Sequence, residues 1–165
     1  VPMIKTVDDV NHAISSIKYP PKGNRGVGLA RAQGYGSQFE QYFKWQDENS
    51  VVIIQIEHID AVNNLESLFS VNDVDGYIIG PYDLSASMGI PGQFENKLFL
   101  SAMDRIKNVA SSFNMIGGIH IIEPDNEQLN LRVEEGYKFI AYSLDVRMLD
   151  VLCRSGVNFL NNLTK

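Results

Sequence analysis

Hydrophobic residues fall along the chain in two kinds of segment. Short and nearly continuous runs of β-branched residues, such as residues 51–56, are typical of strands buried on both faces of a parallel sheet. Longer segments in which apolar residues recur every three or four positions, such as residues 94–113, indicate amphipathic helices. Because the two kinds alternate, the sequence predicts an α/β fold with a parallel sheet and helices on its outside.

The individual elements follow from this pattern. Strands are predicted at residues 51–56, 74–80, 116–122 and 137–142. Helices are predicted at residues 6–17, 39–43, 62–69, 94–113, 125–135 and 149–163, the first of them with a capping box formed by Thr6 and Asp9. The apolar residues 1–4 resemble the end of a further strand, and the prolines and glycines of residues 19–26 predict a rigid loop.

Two architectures fit this order of elements. One is an open doubly wound sheet, and the other is part of a (β/α)8 barrel, which typically needs about 250 residues. The 165 residues, of which 44% are hydrophobic, are enough for one core and predict a single domain. No glycine-rich dinucleotide fingerprint follows a strand, so the commonest reason to choose the open sheet is absent.

Composition narrows the classes of function. A net charge of -6 and a pI near 5.0 argue against a nucleic-acid partner, because phosphate-binding surfaces need clustered Lys and Arg. The sequence has neither an apolar run long enough to span a bilayer nor a secretory leader, so we expect no membrane association and a cytoplasmic location. Cys153 lies in an apolar-periodic segment and is predicted to be a small buried core residue rather than a reactive thiol.

Both architectures place a ligand site at the C-terminal ends of the strands. The polar residues predicted at that edge are Gln55, Glu57, Asp83, His120, Ser143 and Asp145. Taken alone, Glu57 could be a carboxylate favoured by the dipole of the next helix, and Asp83 could be the N-cap of a short helix at residues 84–88. Two carboxylates on neighbouring strand ends instead favour a site for Mg²⁺ or Mn²⁺, which takes one or two carboxylates plus water and substrate oxygens.

Three segments together resemble a known family. They are Gln55-Ile56-Glu57, the run from Asp75 to Ser85 with its Gly-Pro-x-Asp-Leu-Ser sequence, and the proline-rich loop at residues 19–26. They are similar to the HpcH/HpaI family of metal-dependent aldolases, which act on 2-keto-3-deoxy acids, and the resemblance extends from residue 1 to about residue 150. It implies a (β/α)8 TIM barrel of the phosphoenolpyruvate/pyruvate type, of which residues 1–165 would be a single partial domain covering strands 4 to 8, with the N-terminal strands missing.

The resemblance also implies an activity and a set of site residues. The protein would cleave or form a carbon–carbon bond between pyruvate and an aldehyde, with Glu57 and Asp83 holding a divalent cation, Mg²⁺ or Mn²⁺. Gln55 would bind pyruvate, and the backbone N–H groups of Tyr82 and Asp83 would bind its carboxylate. Arg25 would contact the edge of the site or stiffen its loop. A homo-oligomer, trimer or hexamer, is implied in the same way.

The sequence also departs from the family. The histidine of an Asp-x-Glu-His segment and the arginine that clamps pyruvate in family members have no counterpart here. His120 is a candidate pocket residue, whereas we expect His12 to be solvated and His58 to point away from the site. A Schiff base on Lys5 would be a different mechanism. A CoA-ester lyase of the malyl or citryl type, or a protein that only binds metal or partner subunits, are the alternative functions.

Overall fold

The computed structural model describes residues 1–163, in which four strands alternate with helices. The strands are β1 (Ile53–Ile56), β2 (Gly76–Ile79), β3 (Ile116–Ile121) and β4 (Phe139–Tyr142). The α-helices are α1 (Val7–Ile17), α2 (Phe39–Asn49), α3 (Ile59–Asn63), α4 (Leu65–Phe69), α5 (Pro81–Ser87), α6 (Lys97–Ser112), α7 (Asn126–Glu134) and α8 (Asp145–Leu163). A 3₁₀ helix at Arg31–Gly36, which the sequence pattern did not predict, precedes α2.

The strands form one parallel sheet, as predicted, and their order in it is β1-β2-β3-β4. The start of the chain lies beside the free edge of β1. The amino group of Val1 donates to the carbonyl of Ile53 at 2.6 Å, and the N–H of Gln55 donates to the carbonyl of Val1 at 2.8 Å. Val1 therefore pairs with the edge of β1, but residues 1–5 are not assigned to a strand, so a full strand end at residues 1–4 stays a prediction.

The two faces of the sheet differ in their burial. Ile54, Ile56, Tyr77 and Ile79 point to the face covered by helices and are buried. The opposite face carries Gln55 and Ile78, and its exposed apolar residues include Ile116 and Phe139. The prediction of strands buried on both faces is therefore wrong for residues 1–163, because the helices described there cover one face only.

The helices begin and end where local hydrogen bonds allow. At the start of α1, the N–H of Asp9 donates to the Thr6 hydroxyl at 3.2 Å and the N–H of Thr6 donates to the Asp9 carboxylate at 2.8 Å, which confirms the predicted capping box. The helix predicted at residues 62–69 is instead broken into α3 and α4 at Asn64. The backbone of Asn64 is not helical, and its side-chain amide donates to the carbonyl of Lys5 at 3.0 Å.

The last helix, α8, has no buried residue among those described. Cys153 is exposed, so the prediction of a buried core cysteine is wrong. Apolar periodicity identified the helix and its apolar face correctly, but periodicity does not tell whether another element covers that face. No helix within residues 1–163 is both long and apolar enough to cross a membrane.

Candidate active site

Glu57 directly follows β1 and is 3% exposed. Each of its carboxylate oxygens accepts one hydrogen bond. The backbone N–H of Met3 donates to Oε1 at 2.7 Å, and the side-chain amide of Gln55 donates to Oε2 at 2.6 Å. Gln55 and Glu57 are two residues apart on an extended chain, so they lie on the same face and the amide reaches the carboxylate. The strand end thus holds a buried carboxylate in one orientation.

Asp83 is the third residue of α5 and is exposed. The helix begins at Pro81, with Gly80 as its N-cap, because the fixed φ of proline suits the first position of a helix. The alternative reading of Asp83 as the N-cap of a helix at residues 84–88 is therefore wrong. From the first turn of α5, the Asp83 carboxyl group lies near enough to Glu57 to raise the pKa of Glu57.

The surroundings of Glu57 disfavour its ionised form. Burial raises the pKa of Glu57 above its ordinary value, and the neighbouring Asp83 carboxylate raises this pKa further. The hydrogen bonds from Met3 and Gln55 act in the opposite direction, because they stabilise the ionised form. Burial and repulsion prevail. A cation or a shared proton would relieve the repulsion, which is the electrostatic character expected of a metal-binding pair.

Gly80 gives the pair its space. A Cβ atom on Gly80 would lie 2.8 Å from Oε2 of Glu57 and 2.9 Å from the amide nitrogen of Gln55. The registers end at the pairs Ile56–Ile79 and Ile79–Ile119, and continuing them by one residue places Glu57 beside Gly80 and Gly80 beside His120. His120 therefore lies on the same face and in the same row as Glu57, one strand beyond the bare glycine.

The side chains of Tyr82 and Arg25 make contacts with aromatic rings. The ring of Tyr82 is exposed and packs edge-to-face on Phe94, with 4.9 Å between centroids, and the predicted role of its backbone N–H stays a prediction. The guanidinium of Arg25 lies over the rings of Tyr19 and Tyr42, at 4.9 Å and 5.8 Å from their centroids. These contacts fasten the proline-rich loop to α2. A contact of Arg25 with the site stays a prediction.

The remaining polar candidates either make hydrogen bonds to the backbone or are exposed. The imidazole Nδ1 of His58 accepts the N–H of Asp60 at 3.1 Å and caps α3, while His12 is exposed on α1. The hydroxyl of Ser143 donates to the carbonyl of Ile122 at 2.7 Å, in a residue with a φ of 58°. The carboxylate of Asp145 accepts the N–H of Val146 at 2.7 Å, at the start of α8.

Two further features of the site were missed by the sequence prediction. One is the backbone N–H of Met3, which had no signal because every residue except proline has such a group. The other is Gly80, whose position between a strand and Pro81 would have marked it as an N-cap but not as a neighbour of Glu57. Within residues 1–163, no cluster of three or more His, Cys, Asp or Glu side chains forms a fuller metal centre.

A cavity of about 580 Å³ lies between α6, α7 and the end of β3. Its lining includes Tyr82 and His120 but neither Glu57 nor Asp83. The carboxylate pair is instead at the edge of the sheet face that the helices leave uncovered. We place the candidate site at the carboxylates and not in the cavity. The raised pKa of Glu57 beside Asp83 is a better indication of a reactive site than the volume of a cavity.

A parallel sheet with helices in the crossovers and polar side chains at its C-terminal edge is the arrangement of α/β proteins whose ligand sites lie at that edge. A sequence profile of the HpcH/HpaI aldolase/citrate lyase family matches residues 1–150, and the chain belongs to this family. It is 30% identical to a solved family member from Burkholderia cenocepacia J2315, with a TM-score of 0.86 over 97% of this chain and 63% of that one.

Curated relatives give a consistent picture. The chain is 34% identical over 152 residues to a hydroxypyruvate/pyruvate aldolase from Roseobacter denitrificans, covering 90% of this chain and 58% of that protein. It is 35% identical over 152 residues to a 4-hydroxy-2-oxo-heptane-1,7-dioate aldolase from Salmonella typhimurium, covering 90% of this chain and 56% of that protein. The chain thus spans somewhat more than half the length of these relatives. It has the family's TIM-barrel-type fold, of which four adjacent parallel strands are described.

Proposed function

We propose that the protein acts as a metal-dependent aldolase, which cleaves or forms a carbon–carbon bond in a 2-keto-3-deoxy or 4-hydroxy-2-oxo acid with pyruvate as one product. The observation that carries this proposal is the pairing of buried Glu57 with Asp83 at the strand edge. The relatives named as hydroxypyruvate/pyruvate and 4-hydroxy-2-oxo-heptane-1,7-dioate aldolases support the substrate class.

The residues present fit a divalent cation. Both donors are carboxylates, which are the hard oxygen ligands that Mg²⁺ and Mn²⁺ prefer, and the raised pKa of Glu57 reflects a desolvated acceptor facing a like charge. Two protein ligands leave the remaining positions to water and substrate oxygens. A cation held by Glu57 and Asp83 would supply positive charge where negative charge develops on the substrate.

The chain's own residues would bind and orient the substrate. The Gln55 amide, already directed at Glu57, would extend its second N–H toward a keto oxygen, and the first N–H groups of α5 at Tyr82 and Asp83 would receive the substrate carboxylate. His120, in the same row as Glu57, would face the substrate from the next strand but one. Residues 1–165 contain no clear counterpart of the acid–base histidine expected for this family.

Metal binding tests the proposal directly. Glu57→Ala and Asp83→Ala should each weaken Mn²⁺ binding at least about tenfold, because each removes a ligand. Glu40→Ala, which removes an exposed carboxylate paired with Lys44, is the matched control and should bind like the wild type. Titration followed by electron paramagnetic resonance measures the affinity, and pyruvate release with and without chelator measures turnover. Unchanged Mn²⁺ affinity in both site variants would refute the metal pair.

A second candidate is a CoA-ester lyase of the malyl or citryl type. The family description that matches residues 1–150 includes citrate lyase, and such enzymes would use a similar acidic pair. Comparing CoA-ester cleavage with pyruvate release on the same preparation separates the two activities. A preparation that binds Mn²⁺ but supports neither reaction would favour a role in metal or subunit binding alone.

A further inference from the structure

Ser87, the last residue of α5, connects the two segments that carry the carboxylates. Its hydroxyl donates to the carbonyl of Leu84 at 2.7 Å within the helix. The same oxygen accepts the backbone N–H of Ile59 at 2.9 Å, from the segment that follows Glu57. One side chain thus joins the exit of β1 to the helix that bears Asp83.

The hydrogen bond between Ser87 and Ile59 joins the same two segments that carry Asp83 and Glu57. Asp83 and Ser87 are four residues apart, so they lie on one face of α5, about 6 Å apart along its axis. Glu57 and Ile59 are two residues apart, which spans about 6.6 Å in an extended chain. Because the spacings match, Asp83 can approach Glu57 while Ser87 holds Ile59.

We propose that Ser87 is a positioning residue for the carboxylate pair: it fixes how far Glu57 lies from Asp83 and so sets the affinity of the pair for a divalent cation. The two carboxylates cannot by themselves keep this distance short. Like charges on Glu57 and Asp83 repel each other when no cation is bound, and this repulsion favours a wider separation of the two carboxylates. The hydrogen bond at Ile59 opposes that separation. The inference rests on the proposed metal site.

Ser85 provides a matched control within the same helix. Its hydroxyl donates to the carbonyl of Tyr82 at 2.9 Å and accepts the N–H of Gly92 at 3.0 Å, so it makes the same two kinds of bond as Ser87. Gly92, however, belongs to the segment after α5 and not to the segment that carries Glu57. A general loosening of α5 would therefore follow from either substitution, whereas a change in the carboxylate pair should follow from Ser87 only.

The test compares Mn²⁺ affinity and urea unfolding for Ser87→Ala, Ser87→Thr and Ser85→Ala. We expect Ser87→Ala to lose about tenfold or more in Mn²⁺ affinity, the usual effect of removing a group that orients a ligand. Ser87→Thr keeps the hydroxyl and should recover most of the affinity, and Ser85→Ala should lose stability without losing affinity. Should Ser87→Ala not fold, Ser87→Cys keeps the side-chain volume with a weaker acceptor and should show the same loss to a smaller degree.

Two results would overturn the inference. Wild-type affinity in Ser87→Ala or Ser87→Cys would show that the connection does not position the carboxylates. Equal losses in the Ser85 and Ser87 variants would show that only the general order of α5 matters. A wild-type protein that binds no Mn²⁺ would be a different failure, because it would remove the proposed metal site itself and the positioning role with it.

Discussion

Gly80→Ala is the sharpest test of how the strand edge makes room for two carboxylates. The added methyl group would lie 2.8 Å from Oε2 of Glu57, 2.9 Å from the amide nitrogen of Gln55 and 3.1 Å from Cβ of Glu57. Unstrained contacts to carbon begin at about 3.5 Å. Because three atoms from two side chains are involved, rotating one side chain cannot relieve the overlap, and Glu57 must move by about half an ångström or more.

The size of the effect follows from what holds Glu57. Overpacking of this kind costs about 1–3 kcal/mol in the free energy of unfolding. A shift of the carboxylate also stretches its bond from the Met3 N–H or from Gln55, and bonds to a charged group are worth about 1.5–3 kcal/mol. Disturbing a metal ligand through its support typically lowers metal affinity by about 10- to 100-fold. We expect Gly80→Ala to fall within both ranges.

Urea unfolding without metal and Mn²⁺ titration measure the two effects separately. Alanine is also a poorer N-cap than glycine, so part of the stability loss would arise at the start of α5, and the metal affinity is the decisive measurement. Gly156→Ala is the control, because its added methyl group meets no atom within 4 Å and should stabilise α8 by about 1 kcal/mol. Wild-type Mn²⁺ affinity in Gly80→Ala would refute the reasoning.

Two other substitutions test the electrostatics of the site and the local origin of the fold. The pKa of Glu57 is raised in the folded protein, so the folded state binds this proton more tightly than the unfolded state does. The contribution of Glu57 to the free energy of unfolding therefore falls as the pH rises from the ordinary glutamate pKa of 4.5 through the raised pKa. Metal-free Glu57→Gln should therefore melt higher than the wild type at pH 7 and equally at about pH 3, and a lower melting temperature at pH 7 would contradict this. Thr6→Ala should lose about 1 kcal/mol in urea unfolding by removing the cap of α1, whereas Ser16→Ala, at the exposed end of that helix, should change little.

The order and type of the strands and most helices could be predicted from the sequence, because the contrast between β-branched runs and helical spacing is local. Details that depend on distant partners could not. At the break between α3 and α4, the side-chain amide of Asn64 donates a hydrogen bond to the carbonyl of Lys5, which lies far away along the chain. The 3₁₀ helix at Arg31–Gly36 includes left-handed backbone at Gly34 and Tyr35. The spacing of apolar residues does not predict such a conformation. The apolar pattern of the strands also does not tell whether another element covers the second face of the sheet.

The candidate site followed the same division. The carboxylates Glu57 and Asp83 could be assigned to one edge, because parallel strands bring their C-terminal ends together. Their support could not be predicted, since it comes from a backbone N–H at Met3, a missing side chain at Gly80 and a hydroxyl at Ser87. Such groups carry no distinctive sequence pattern, and their roles appear only once the segments are placed side by side.

The position of Glu57 ultimately depends on residues that never approach a substrate. Ile54 and Ile56 are fully buried under the helices, and their pairing with Tyr77 and Ile79 sets the register of β1 against β2. A shift of the register of β1 by one residue would move both isoleucines to the uncovered face, at a cost of about 1.5–3 kcal/mol each. It would also place Gln55 and Glu57 beneath the helices. The hydrophobic contrast that specifies the strand therefore also specifies which face carries the carboxylate. The chemistry proposed for Glu57 and Asp83 therefore requires this register of β1 against β2, whichever ligand binds.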